Sequence, residues 1–340
     1  MEPDRTAAIE AFLSRNGWGN AGRAPLADDA SFRRYERLHL GARTAVLMDA
    51  PPPHEDIRPF RKIARHLIGL GYSAPEIYAG DDDLGLLLLE DLGDDTFTRV
   101  LATGGDETRL YESAVDILID LHQRPVAEAV PPGLPAYDDR RLLDEANLMA
   151  DWTYPAIADG GPLPETARTA YAAAWHDVFR RLRQQPKTLV LRDYHVDNLL
   201  WLPNRDGVRR CGLLDFQDAL AGPGAYDLMS LLEDARRDLA HGLKTTMLAR
   251  YLAAFPDIDK TAFMAAFDIL AAQRHAKVIG IFTRLYVRDG KPDYLAHIPR
   301  VWRLLERSLE NTVLNSVKKW FDTHIPSRLR TNPPEIKKRA

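Results

Sequence analysis

A change of pattern near residue 96 constrains the fold of this 340-residue chain more than any other feature of its sequence. Before this point, short apolar runs bounded by turn residues surround one helical pattern, in the order strand, strand, helix, strand, strand. After it, apolar residues recur mainly at helical spacing. The order predicts an α+β fold in which a small β-rich lobe, 1–92, precedes a large helical lobe, 93–330.

Individual segments carry recognisable signals. The pair "SFRRYERLHL" and "RTAVLMDA" predicts two strands around a turn at Gly41, and "PEIYAG" and "LGLLLLEDL" predict two more. One helix is expected to begin near Pro59, because proline suits the first helical turn, and to end at Gly69 or Gly71. Further helices are expected over 5–16, 107–123, 138–152, 165–185 and most of 226–316.

Composition and charge argue against several classes of function. The net charge is −4, without the basic excess that a nucleic-acid-binding face usually carries. No apolar run approaches the roughly 20 residues of a membrane span, and the charged opening segment does not resemble a signal peptide. The single cysteine, Cys211, cannot form an internal disulfide and is more typical of a small core residue than of a nucleophile. We therefore expect a cytoplasmic protein in a reducing compartment, with no membrane, nucleic-acid or obligate protein partner.

The segment "LVLRDYHVDNLLWL", 189–202, places a polar centre between two apolar runs. Asp193 lies in this centre, and Asn198 follows five positions later. The turn residues at 204–207 predict that the second run folds back as a hairpin onto "RRCGLLDF", which would bring Asn198 near Asp215. Carboxylate and amide oxygens, together with substrate phosphates, are ligands that Mg²⁺ takes in proteins. The spacing therefore predicts a magnesium site at Asn198 and Asp215.

The same arrangement leaves Asp193 able to accept a proton from an attacking hydroxyl group. It matches the kinase template, in which R-D-x-x-x-x-N precedes D-F-G, because this chain has R-D-Y-H-V-D-N and then D-F-Q. An Asp and an Asn at this spacing would by themselves indicate no more than a turn or a helix cap. The strand before the motif, the hairpin after it and the second acid at the end of that hairpin together favour phosphoryl transfer.

Longer phrases extend this match to a family. The chain resembles the aminoglycoside phosphotransferase and choline kinase group of small-molecule kinases over about 24–307. The phrases "DDASFRRYERL", "LEDLGDDTF", "LLDFQDALAGPGAYDLMSLLEDARRD" and "QRHAKVIGIFTRL" look most like bacterial anomeric kinases of N-acetylmuramate and N-acetylglucosamine in cell-wall recycling. The resemblance implies a protein-kinase-like bilobal fold, ATP and Mg²⁺ as cofactors, Asp193 as catalytic base, and Asn198 and Asp215 as metal ligands.

The nucleotide site that the resemblance implies departs from the usual kinase pattern. A hinge at 89–92 would bind adenine through its backbone, and the stretch 30–35 would cover the phosphates, although it lacks the glycine-rich loop. Its two arginines could equally be solvated residues of a hairpin. A methionine stands where the phosphate-pairing lysine is usual, so the source of that charge stays open. The expected nucleotide contacts are Ser31, Phe32, Arg33, Arg34, Met48, Glu90, Asp91 and Leu92.

The acceptor is expected to lie near the catalytic aspartate. Its candidate contacts are Glu145, Trp152, Tyr194, His195, Asp218, Arg274 and Lys277. Glu145 and Trp152 share a helical face, and a carboxylate beside an aromatic ring suits a sugar, although Trp152 could instead pack in the core. His195 could bind a sugar hydroxyl or simply support its loop. Arg274 and Lys277 could hold the lactyl carboxylate of N-acetylmuramate, or belong to a solvated helix face together with Gln273.

Two other acids near the motif are expected to be structural. Asp197 is expected to be solvated or to brace its own loop. Asp227, in "GPGAYDLMSL", is expected to cap the helix that follows it.

The motif predicts a phosphoryl-transfer enzyme, and the resemblance implies an ATP- and Mg²⁺-dependent kinase acting on the anomeric hydroxyl of N-acetylmuramate or N-acetylglucosamine. Two alternatives stay open. A kinase of another small alcohol, such as an aminoglycoside or an amino alcohol, would need an acidic pocket for a cationic substrate, whereas Arg274 and Lys277 favour an anionic substrate. A non-catalytic nucleotide-binding protein of the same fold would explain Met48, but not the intact Asp193, Asn198 and Asp215.

Overall fold

The structure, a computed structural model, describes residues 5–26, 32–158 and 161–331. They form two compact units, of which the first comprises 5–120 with 196–219 and the second 121–195 with 220–331. These units are delimited by packing, and the predicted lobe boundary between residues 92 and 93 stays a prediction. Within the described residues, no helix is both long and apolar enough to cross a membrane.

The strands and helices follow in chain order. The strands are β1 (Gly22–Pro25), β2 (Arg34–Leu40), β3 (Arg43–Asp49), β4 (Ile77–Asp81), β5 (Leu86–Leu89), β6 (Lys187–Val190), β7 (Leu199–Trp201), β8 (Cys211–Leu213) and β9 (Leu220–Pro223). The α-helices are α1 (Arg5–Arg15), α2 (Arg58–Gly69), α3 (Phe97–Ala102), α4 (Glu107–Gln123), α5 (Val126–Ala129), α6 (Asp139–Leu148), α7 (Tyr154–Ile157), α8 (Glu165–Phe179), α9 (Ala225–Leu232), α10 (Leu243–Ala253), α11 (Lys260–Val287), α12 (Ile298–Ser308), α13 (Asn315–His324) and α14 (Ser327–Thr331).

The first unit contains a five-stranded antiparallel sheet in the order β1-β2-β3-β5-β4. Successive side chains of a strand point to opposite faces of the sheet. On one face, Leu38, Leu47 and Leu88 are buried in a core cluster with Phe12 of α1. The alternate positions of β2 and β3 therefore face the other way and are available to line a site.

The four strands predicted for this sheet are present, but β1 was missed, as was β9, which pairs with β6. Both are four-residue segments that contain Gly and Pro, "GRAP" and "LAGP", and both end in Pro. Such segments lack the apolar alternation that identifies a strand, and proline is tolerated at the edge of a sheet. Pairing with a neighbour, which the local sequence does not reveal, makes them strands.

The second unit is organised around the 28-residue helix α11, which contacts α6, α9 and α12. Gly280 allows the close approach of α6, because a Cβ atom at this position would lie 2.4 Å from the Leu148 carbonyl carbon. The helix predicted over 138–152 is α6 followed by a π-helical turn, Met149–Thr153, against the same stretch of α11. The helix predicted over 165–185 ends earlier, as α8, at Phe179.

Candidate active site

The predicted hairpin is present in the first unit, where β7 and β8 pair antiparallel with Leu199 opposite Leu213. Asn198 directly precedes β7, and Asp215 follows β8 by two residues. Asn198 Nδ2 donates to Asp215 Oδ2 over 3.3 Å, and Gln217 Nε2 donates to Asp215 Oδ1 over 2.6 Å. The hairpin therefore brings Asn198 and Asp215 together, as the spacing of the sequence predicted.

The backbone of Asp215 adopts a left-handed conformation, with φ +57°. A side chain with a Cβ atom rarely adopts this conformation, and such residues concentrate at functional sites. The amides of Asn198 and Gln217 stabilise the carboxylate in this position.

A cavity of about 370 Å³ in the first unit contains this pair of side chains in its wall. Much of the wall is apolar, with contributions from the sheet and from the hairpin. These apolar residues are Leu26, Val46, Phe60, Pro75, Leu89, Leu92, Leu200 and Leu214. An apolar slot with a few polar groups is the usual form of a site for a planar organic ligand.

The predicted hinge residues Glu90, Asp91 and Leu92 also line this cavity. Glu90 is held by Arg205, whose Nη2 lies 2.5 Å from Glu90 Oε1, and by a backbone hydrogen bond from its N–H to the carbonyl oxygen of Glu76 over 2.8 Å. These contacts fix the course of the segment along the cavity.

Arg37 is a cavity residue that sequence reasoning missed. Its Nε lies 2.9 Å from Asp91 Oδ2, and its Nη1 lies 2.5 Å from Asp94 Oδ2. The hydrogen bond from Arg37 holds the pKa of Asp94 below its usual value, against the opposing effect of burial. The available signal was the alternation of β2, because Arg37 and Tyr35 share the face opposite Leu38.

Of the described residues predicted to cover the phosphates, Tyr35 lines this cavity, whereas Phe32 and Arg33 do not. The Phe32 side chain is 66% exposed, and its ring stacks on His54 with 5.0 Å between the ring centroids. Arg33 Nε lies 3.6 Å from Glu55 Oε2. Ser31 lies outside the described residues. A role for this segment in nucleotide binding stays a prediction.

Arg34 and Met48 are likewise absent from the cavity wall. Arg34 is the exposed first residue of β2, and Met48 is 1% exposed on β3. Met48 lies two residues beyond Val46, which does line the cavity. The methionine side chain thus extends the apolar interior at the position where kinases usually carry a lysine.

The oxygen atoms of Asn198 and Asp215 fit the chemistry of Mg²⁺. This ion is usually bound by one or two carboxylates, with waters and substrate phosphates completing an octahedron. Two protein oxygens on the wall of a cavity leave such positions open, and the left-handed backbone fixes the carboxylate among them.

In the second unit, Asp193 lies in a loop whose backbone is held by a buried acid. Asp227 accepts hydrogen bonds from the backbone N–H groups of Leu191 and Arg192, over 2.6 and 2.9 Å. Arg192 has φ +72°, so the loop turns sharply just before Asp193. Burial raises the pKa of Asp227 to about 7, although the two N–H groups oppose the shift.

The predicted capping role of Asp227 is wrong, because α9 is capped by Gly224 and Asp227 lies in the first turn of the helix. Asp227 is structural in another way, because its carboxylate oxygens accept hydrogen bonds from the backbone of the loop that carries Asp193. Aspartate near a helix start is a common cap, and no local pattern indicates partners 35 and 36 residues away.

A second buried carboxylate, Glu145, binds several groups at once. It pairs with Arg192, and Lys277 Nζ lies 3.0 Å from its Oε1. Tyr137 and Gln273 donate to its Oε2, Gln273 over 3.1 Å. Burial favours a raised pKa of Glu145, but Lys277 and Arg192 outweigh it and hold the pKa below its usual value. Because both oxygens are engaged, the side chain is suited to positioning its neighbours.

Asp193 lies in the electrostatic field of the same cluster. Burial favours a raised pKa of Asp193, but Lys277 and then Arg274 outweigh it, so the pKa is lowered and the carboxylate is ionised. Burial lowers the pKa of His195, which favours a neutral imidazole with one donor and one acceptor nitrogen. Tyr194 beside it is 2% exposed.

The solvated-face interpretation of α11 is wrong. Gln273, Arg274 and Lys277 are 0%, 4% and 8% exposed, because α11 is enclosed by other helices of its unit. The sequence could not show this, since three adjacent polar residues are typical of an exposed face.

The remaining predicted contacts are placed as follows. Trp152 is half-buried in the π-helical turn of the second unit. Asp218 is exposed in the first unit. Asp197 accepts a hydrogen bond from Thr98 Oγ1 and lines the cavity, in agreement with a loop-bracing role. Contact of Trp152 or Asp218 with an acceptor stays a prediction.

Comparison with known proteins assigns the chain to a family. The sequence profile described as "Phosphotransferase enzyme family" matches residues 23–267. A protein of Caulobacter vibrioides is 37% identical over 97% of this chain and 99% of its own length, and one of Pseudomonas aeruginosa is 40% identical over 88% of each. Both are named N-acetylmuramate/N-acetylglucosamine kinase.

The fold is shared with solved kinase structures. Choline kinase LicA from Streptococcus pneumoniae superposes with a TM-score of 0.61 at 12% identity, over 92% of this chain and 100% of that protein. The protein-kinase-like α+β fold predicted from the sequence is therefore confirmed. With a profile match over most of its length and relatives at 37–40% identity, the chain belongs to the phosphotransferase enzyme family.

Proposed function

We propose that this phosphotransferase transfers the γ-phosphoryl group of ATP to the anomeric hydroxyl of N-acetylmuramate and N-acetylglucosamine, in the cytoplasmic recycling of peptidoglycan. The observation that carries the proposal is the pairing of Asn198 with Asp215 on the wall of an apolar cavity. The names of the relatives from Caulobacter vibrioides and Pseudomonas aeruginosa support these two sugars.

The nucleotide would occupy the cavity of the first unit. Its apolar walls suit a purine base, and the backbone of 89–92 offers the hydrogen-bonding groups that a base edge needs. Asn198 and Asp215 would hold Mg²⁺ at the polar part of the wall. When it is bound with the phosphates, Mg²⁺ neutralises the negative charge that develops during phosphoryl transfer.

Asp193 would orient the acceptor hydroxyl and receive its proton. The sugar oxygen forms a bond to the γ-phosphorus as the bond to the ADP oxygen breaks, and the hydroxyl proton passes to the Asp193 carboxylate. The lowered pKa of Asp193 keeps this carboxylate ionised at neutral pH. Strong basicity is not needed, because phosphoryl transfer passes through a loose transition state in which positioning and charge neutralisation dominate.

The surroundings of Asp193 disfavour a cationic acceptor such as an aminoglycoside. Lys277, Arg274 and Arg192 all contribute positive charge at Asp193. A cationic substrate would be repelled by this cluster, whereas a neutral or anionic sugar would be accepted.

A panel of acceptors with MgATP tests the proposal. ADP formation is measured with N-acetylmuramate, N-acetylglucosamine, kanamycin and choline, and the products are examined by phosphorus NMR. We expect turnover with the two sugars and a phosphorus signal coupled to the anomeric proton. Turnover of kanamycin or choline alone, or a phosphate on another oxygen of the sugar, would refute the assignment.

A further inference from the structure

Arg274 is a buried cation with an unsatisfied donor atom. Its side chain lies in the middle of α11 and the residue is 4% exposed. Within the described part of the chain, its Nη1 is enclosed and has no hydrogen-bond partner. Arginine is almost never buried in this way unless it is paired, because a charge removed from water needs compensation.

The two neighbouring cations, Arg192 and Lys277, each have an ion-pair partner. Arg192 and Lys277 both pair with Glu145, and these two residues, like Arg274, contribute positive charge at Asp193. Glu145 thus forms ion pairs with two cations of the cluster but not with the third, whose Nη1 has no hydrogen-bond partner. A buried donor that is left unsatisfied in this way is available to an external anion.

We propose that Arg274 is the receptor for the carboxylate of an acidic acceptor sugar, and that it sets the preference of the enzyme for N-acetylmuramate over N-acetylglucosamine. The inference rests on the proposed function. The two sugars differ in the lactyl ether of N-acetylmuramate, whose carboxylate is the only ionised group in either molecule. A guanidinium binds a carboxylate through two parallel hydrogen bonds, which makes arginine suited to this discrimination.

The location of Arg274 agrees with an acceptor contact. It belongs to the same unit as Asp193, which the proposed function places at the acceptor hydroxyl, and its charge lowers the pKa of Asp193. Loss of Arg274 would therefore affect Asp193 for both sugars. The ratio of the two specificity constants cancels this shared effect and isolates the contribution of the lactyl carboxylate.

The variant Arg274→Met removes the charge and keeps an unbranched side chain. We expect kcat/KM for N-acetylmuramate to fall at least about tenfold further than kcat/KM for N-acetylglucosamine, which corresponds to about 1.4 kcal/mol. Its thermal stability is expected to stay close to that of the native protein, because the cost of burying the Arg274 charge and its attraction to the Asp193 carboxylate oppose each other. The matched control is Arg284→Met, which removes a charge from the same helix about 15 Å further along.

The native protein provides a second test that does not depend on a variant. N-acetylmuramate and its neutral lactyl methyl ester are compared as acceptors. We expect the free acid to exceed the ester at least about tenfold in kcat/KM, and Arg274→Met to abolish that difference. If the variant fails to fold, the comparison of acid and ester in the native protein decides.

These experiments distinguish failure of the carboxylate receptor from failure of the proposed kinase function. Native turnover of both sugars with no preference for the acid over the ester, or equal losses for both sugars in Arg274→Met, overturns the carboxylate receptor and leaves the kinase assignment intact. The carboxylate receptor is also overturned if the ratio of kcat/KM for N-acetylmuramate to kcat/KM for N-acetylglucosamine shifts equally in Arg284→Met. If the native protein phosphorylates neither sugar, the proposed function fails and the inference falls with it.

Discussion

Removal of the Asp227 carboxylate tests how the loop that carries Asp193 is held. Asp227→Ala removes the acceptor of the backbone N–H groups of Leu191, which is buried, and of Arg192, which is half-buried. Each such group costs about 1–3 kcal/mol, so the free energy of unfolding should fall by about 2–6 kcal/mol. Turnover should fall as well, because the position of Asp193 depends on this loop.

Asp227→Asn keeps one acceptor oxygen, so its free energy of unfolding should fall by about half as much as that of Asp227→Ala. The size of this loss, relative to the native protein, should also depend on pH. The pKa of Asp227 is about 7 in the folded protein, against 3.8 for the free side chain, so folding favours the protonated form. The stabilisation from this protonation is complete below about pH 4 and is lost as pH rises through about 7.

The size of the pH effect follows from linkage. Between pH 5 and 7 the folded state holds nearly one more proton than the unfolded state, which corresponds to about 2–3 kcal/mol. Urea unfolding of the native protein and of Asp227→Asn at pH 5 and pH 8 measures it. The native protein should exceed Asp227→Asn in free energy of unfolding by about 2–3 kcal/mol less at pH 8 than at pH 5. An equal or larger difference at pH 8, or an Asp227→Ala variant as stable as the native protein, would refute the reasoning.

Other changes probe the remaining assignments. Asp193→Asn should lower kcat by about 10²–10⁴-fold and retain ATP affinity, as measured by isothermal titration calorimetry, and undiminished turnover would contradict the proposed base. Glu145→Gln should lower the free energy of unfolding by about 3–5 kcal/mol, because Arg192 and Lys277 lose their shared carboxylate; a variant of native stability in urea would contradict this. Burial raises the pKa of the Cys211 thiol, so a thiol reagent should label it at pH 8 only after unfolding, and rapid labelling of the folded protein would be inconsistent with the structure.

The part of the site that local pattern determines was predicted from the sequence. The hairpin that joins Asn198 to Asp215 follows from two apolar runs and the turn between them, all within about 25 residues. The hinge residues line the cavity and directly follow β5, whose apolar run is clear in the sequence. Their contact with a nucleotide stays a prediction.

The part that depends on distant partners was not predicted. Glu145 binds Arg192, 47 residues away, and Lys277, 132 residues away, and no spacing rule connects such positions. For the same reason, Arg274 could be identified as a candidate anion contact but not as a buried one. Polar residues on a long helix look solvated until the neighbouring helices are known.

Binding of Mn²⁺ together with ADP, followed by electron paramagnetic resonance, tests the assignment of the metal ligands most directly. Mn²⁺ accepts the same oxygen ligands as Mg²⁺. The native protein and Asp193→Asn should bind the ion with equal affinity, and Asp215→Ala should bind it at least about tenfold more weakly, equivalent to about 1.4 kcal/mol. Undiminished binding by Asp215→Ala would contradict the account of Asn198 and Asp215 as the site of the divalent ion.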